Sequence, residues 1–154
     1  MLAAIRDSSV NFPLFLHVLG AMVLVGSLAA NAFVTVLGWR TPERAGGLSR
    51  FALKVLLIAV LPAWIVMRIA AQWTESKENF PDDFEPAWLG IGYITAELGG
   101  LLILISAVLA GIGLRTSRAD ATRSIRWGRI VGVVSILLLA AYLVAMWAMT
   151  AKPD

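Results

Sequence analysis

Residues 12–39 read FPLFLHVLGAMVLVGSLAANAFVTVLGW, and this stretch decides the fold. His17 is its one ionisable side chain, and it holds no Asp, Glu, Lys or Arg. A helix rises 1.5 Å per residue, so about 20 apolar residues cross a hydrocarbon core of about 30 Å. This run is longer than that. Three more apolar runs follow, over residues 51–73, 88–114 and 130–149. The pattern predicts an all-α integral membrane protein with four spans, forming one transmembrane domain over residues 1–154. The intervening loops are short, which favours antiparallel neighbours in an up-down four-helix bundle.

Composition points the same way. The chain is 59% hydrophobic and 15% charged, whereas a soluble domain is about 45–50% apolar and about 25% charged. The absence of cysteine excludes disulfides, thiol catalysis and zinc–thiolate sites. A net charge of +3 does not indicate a nucleic-acid partner, because the basic residues gather at span edges, where topology accounts for them. The lipid bilayer is the expected partner, together with a second copy of the chain or another membrane protein.

The loops alternate in charge. Arg40, Arg44, Arg50 and Lys54 surround the first, and Arg115, Arg118, Arg123, Arg126 and Arg129 the third. The second carries Glu75, Glu78, Asp82, Asp83 and Glu85 against Lys77 alone. The excess of basic residues on cytoplasmic loops puts the first and third loops inside and both termini outside, across an inner (plasma) membrane. Trp39, Trp73, Trp88, Trp127 and Trp147 fall near span ends, the depth that indoles prefer. Ala30-Asn31-Ala32 has the small-residue spacing of a signal-peptide cleavage site, but the apolar run continues through Leu37, so the first span reads as a retained helix.

Three ionisable residues interrupt the apolar runs: His17, Arg68 and Glu97. Such residues are costly in a bilayer and face the bundle interior or a polar cavity. Counted from the outer span ends, His17 lies about 6 Å deep, Arg68 about 7 Å and Glu97 about 16 Å. Gly20, Ala21, Asn31 and Thr35 share the His17 stripe, and the small residues among them let helices approach closely. Trp64 lies one turn from Arg68, close enough for the guanidinium to stack on its ring. Pro62 removes a donor from the second span, freeing the Ile58 carbonyl and kinking the helix. These positions predict one outward-facing polar pocket with Glu97 at its floor, joined by Trp64, Tyr93 and Tyr142. A plainer reading stands beside it: Arg68 and Glu97 neutralise each other and fix helix register, while His17 makes an interhelical hydrogen bond.

Several chemistries are excluded. The chain has no glycine-rich phosphate loop, no H-E-x-x-H and no second histidine for bis-histidine haem. Haem b would need His17 with Met146, or with His17 of a second copy. Copper(I) suits a soft set of His17 with Met22, Met67, Met146 or Met149. Proton-coupled transport would use Glu97 as carrier beside Arg68. A small drug exporter would want a carboxylate midway along the first span, and that span has none. The acidic loop reads as a solvated face, without the EF-hand pattern.

The segment from Phe15 to Gly26, FLHVLGAMVLVG, resembles the opening helix of a family of small four-helix bacterial membrane proteins of unknown function. It is also similar to the helix of copper-resistance D-type membrane proteins that carries a His-(apolar)-Gly signature. The likeness covers about a dozen residues and departs at Ser27, where many relatives have a second glycine. It implies a site centred on His17, with copper or haem as the associated ligand. Three functional readings follow. The first is a non-enzymatic binding or assembly protein with a polar pocket in its outer half. The others are a haem or copper protein using His17 and a small proton-coupled transporter using Glu97.

Overall fold

The computed structural model describes residues 8–41, 44–78, 86–116 and 121–152, with backbone alone at Ser8, Ala45 and 121–124. These residues form helices α1 (Ser8–Arg40), α2 (Ala45–Val55), α3 (Leu61–Glu78), α4 (Ala87–Thr116) and α5 (Ala121–Ala151). A π-helical turn, Leu56–Val60, joins α2 to α3, so the second span is one interrupted helix. The structure is all-helical, with four helices long and apolar enough to cross a membrane. The 33 residues of α1 extend about 50 Å, well past a hydrocarbon core of about 30 Å. The four long helices cover the expected apolar runs and extend past them at both ends. Asp82, Asp83 and Glu85 of the acidic loop lie outside the described residues.

The π turn sits directly before Pro62. In it the Leu61 amide bonds the Leu56 carbonyl, five residues back, which widens the helix by one residue. Proline has no amide hydrogen and clashes with the turn before it, and a π bulge is one way to absorb that misfit. The irregularity expected from Pro62 is thus a widened turn.

Glycine sets the closest approaches. A Cβ at Gly20 would lie 2.9 Å from the Met67 amide nitrogen and 3.0 Å from its Cα, so α1 and α3 cross backbone against backbone. The Met149 side chain fills the space over Gly92, and the Tyr142 hydroxyl rests on Gly99. Rising numbers on α4 thus meet falling numbers on α5. The Trp64 ring covers Gly100, tying α3 to α4. Between these contacts the core is aliphatic, centred on Leu24, Leu28, Leu56, Val60, Ile103 and Leu138, all fully buried. Burial on this scale is worth about 25 cal/mol per Å² in water. In lipid, close packing at glycine and interhelical hydrogen bonds matter more.

Contact between neighbours is uneven. α1 lies along α3 and α5, and α4 lies along α5. α4 meets the second span chiefly through α2 and touches α3 sparsely. The α3–α4 seam is therefore bridged by side chains more than by backbone packing.

Candidate functional site

Those bridging side chains are the residues singled out in the sequence. Arg68, on α3, directs Nε at 2.7 Å and Nη2 at 2.6 Å to a single oxygen, Oε1 of Glu97 on α4. Its guanidinium also lies over the Tyr93 ring, 5.0 Å from the centroid. Tyr93 stands one turn before Glu97, and its hydroxyl donates to Oε2 of Glu75 near the end of α3. Arg68, Tyr93, Glu97 and Glu75 thus form one cluster across the seam. One turn deeper, Trp64 Nε1 donates to the Ala96 carbonyl at 2.8 Å.

Burial within the cluster is lopsided. The Arg68 side chain is 17% exposed and that of Glu97 is 61% exposed. Around Glu97 the outer face of α4 is apolar, with Ile94, Leu98 and Leu101 all exposed. Arg68 Nη1 is turned inward and has no hydrogen-bond partner among the described residues. The second carboxylate oxygen of Glu97 receives no bond there either. Counting formal charges, Arg68, Glu75 and Glu97 leave the cluster one unit negative.

His17 belongs to the α1–α3 crossing. Its Nδ1 lies 3.0 Å from the Met67 carbonyl oxygen, at the crossing with Gly20. A carbonyl only accepts, so Nδ1 carries the hydrogen, and in the neutral form of the ring Nε2 holds the lone pair. Tyr142 approaches Gly99 from α5 and is buried, with its hydroxyl unpartnered among the described residues. Met146 is exposed one turn further along α5.

Arg68 stacks on Tyr93, whereas the sequence suggested Trp64. The guanidinium reaches across to α4 for its carboxylate, and Tyr93 is the ring it meets there. Glu75 was read as a loop residue. It belongs to α3, two turns beyond Arg68 on the same face, and that spacing could have placed it. Among the described residues, no three of His, Cys, Asp and Glu come together in a metal-holding group. No family model, curated protein or solved structure matches the chain.

Proposed function

We propose that this chain is a non-enzymatic binding protein of the bacterial inner membrane. Its ligand is an ammonium-bearing amphiphile whose head sits at Glu97 and whose tail lies along the α3–α4 seam. The observation that carries this reading is the carboxylate itself. Glu97 is 61% exposed on an apolar helix face and engages Arg68 through one oxygen only. A carboxylate so placed is costly against lipid tails. An ammonium group on its open side would relieve that cost and offset the cluster's negative charge. The same reading takes the four spans as an up-down bundle with both termini outside. It draws on the reversed numbering of the α4–α5 contacts and on the nine basic residues around the first and third loops, against three elsewhere outside the spans.

Native mass spectrometry of delipidated protein, with lipids added singly, tests the proposal. Phosphatidylethanolamine should be retained over phosphatidylglycerol, and Glu97→Gln should abolish the preference. Equal retention of both lipids, or an unchanged preference in the variant, overturns it.

A second reading rests on His17. Metal-ligating histidines usually donate their other ring N–H to a carbonyl or carboxylate, and Nδ1 donating to Met67 leaves Nε2 in that condition. With one histidine and no cysteine, the remaining soft donors are methionine thioethers, a set that suits copper(I) or one axial position of haem. Bound copper or haem would supply electron-transfer chemistry. Metal analysis and a visible spectrum of gently purified protein test this, and a colourless, metal-free preparation rejects it.

A further inference from the structure

A second polar region lies deeper in the bundle, on the side of the arginine-rich loops. There a cleft runs among α1, α2, α4 and α5, lined in part by Thr35, Trp39, Ala52, Ala110 and Val131, with about 20 Å³ open to the centre of a water molecule. One helical turn further in from Thr35, Ala52, Ala110 and Val131 stand Asn31, Leu56, Ser106 and Ser135, all fully buried. Three of the four helices therefore place a polar side chain one turn beyond the cleft lining.

The hydrogen bonding of this layer is incomplete. Asn31 Nδ2 donates to Ser135 Oγ at 2.8 Å, and that hydroxyl donates to the Val131 carbonyl at 2.8 Å. Asn31 Oδ1 and Ser106 Oγ have no partner among the described residues, and neither does Trp39 Nε1 in the cleft wall. Ser106 faces the same level from α4: the pairings of Gly92 with Met149 and Gly99 with Tyr142 put residue 106 opposite residue 135. Buried polar atoms are nearly always bonded to protein or to ordered water, and a water needs two to four polar partners and room of roughly 10–15 Å³. The cleft, whose lining stops one turn short of Asn31 and Ser106, has that room. Asn31 Oδ1 offers an acceptor, Ser106 a donor and acceptor, and Ser135 Oγ a remaining lone pair.

Beyond this layer the bundle closes. Leu28, Val60, Ile103 and Leu138, about one turn on towards Tyr142, are fully buried and apolar. We propose that the cleft ends in a hydration site, with an ordered water bridging Asn31 Oδ1 and Ser106 Oγ. The Leu28–Val60–Ile103–Leu138 layer separates it from the Arg68–Glu97 cluster. The molecule then has a wet half-passage on its arginine side that stops at mid-depth.

Water-to-protein magnetisation transfer in nuclear magnetic resonance tests this on the intact ¹⁵N-labelled chain in deuterated micelles. The Asn31 side-chain amide and the Trp39 indole N–H should both receive transfer from water. The Trp64 indole, bonded to Ala96, should receive none. Ser106→Ala removes one anchor and should cut the Asn31 transfer at least several-fold, while leaving that of Trp39. Ala110→Val, which narrows the approach, should do the same and serves if Ser106→Ala folds poorly. A dry Asn31 amide in the wild-type chain, or unchanged transfer in both variants, overturns the proposal.

Discussion

Arg68 grips Glu97 by one oxygen: Nε and Nη2 lie 2.7 and 2.6 Å from the same Oε1. A guanidinium can instead lay two parallel bonds on the two oxygens of a carboxylate, which is the tighter recognition. Here the geometry is end-on, and the far side of the carboxylate stays open. The mostly buried arginine is the partner that suffers if the pair is broken. Its cost arises from an unpaired charge held in the bundle, more than from the loss of an attraction.

That asymmetry makes a prediction. Glu97→Ala should destabilise the protein by about 1–3 kcal/mol, the usual cost of stranding a buried donor. Adding Arg68→Met should restore much of the loss, because the double variant leaves no buried charge. Thermal unfolding in detergent across the four proteins gives the coupling. A loss in the double variant equal to the sum of the losses in Glu97→Ala and Arg68→Met would show that the two side chains do not interact energetically.

The α1–α3 crossing supports a sharper test. A methyl at Gly20 would meet the Met67 backbone at 2.9–3.0 Å, and backbone cannot rotate away as a side chain can. Gly20→Ala should therefore push the helices apart and cost about 1–3 kcal/mol, the range for overpacking. It should also weaken the bond from His17 to the Met67 carbonyl, visible as a shift of the His17 ring signals. Gly26→Ala is the control: nothing lies within 4 Å of its added Cβ, so it should be neutral. Equal stability of the two variants would remove the steric account of this crossing.

What the sequence revealed follows from what each signal measures. Hydrophobic length is a property of one segment, so the four helices were legible without knowing their neighbours. The proline in the second span announced an irregularity, and a π turn stands there. Arg68 and Glu97 were legible as a pair because charged residues in apolar runs have few alternatives. The openness of Glu97 was not, since it depends on how sparsely α3 meets α4, and no periodicity within either helix encodes that. The Asn31–Ser135 contact was hidden for a similar reason: serine in a transmembrane helix commonly bonds its own backbone, as Ser135 does with Val131. Only the approach of α1 to α5 makes it an interhelical acceptor as well.

That contact can be weighed directly. Asn31→Ala and Ser135→Ala each remove one end of a 2.8 Å bond between fully buried groups. Interhelical hydrogen bonds in membrane proteins average about 0.6 kcal/mol and reach about 1.7 kcal/mol. The coupling from a double-mutant cycle should lie near the upper end here, because both groups are fully buried between helices, away from lipid. Ser135→Ala alone should be the milder change, since it strands only the Asn31 amide hydrogens, whereas Asn31→Ala also empties a larger volume at the level of Leu56 and Ser106. A coupling indistinguishable from zero would mean that the asparagine is equally well served elsewhere. The polar layer would then be a consequence of helix packing and would contribute nothing to its register.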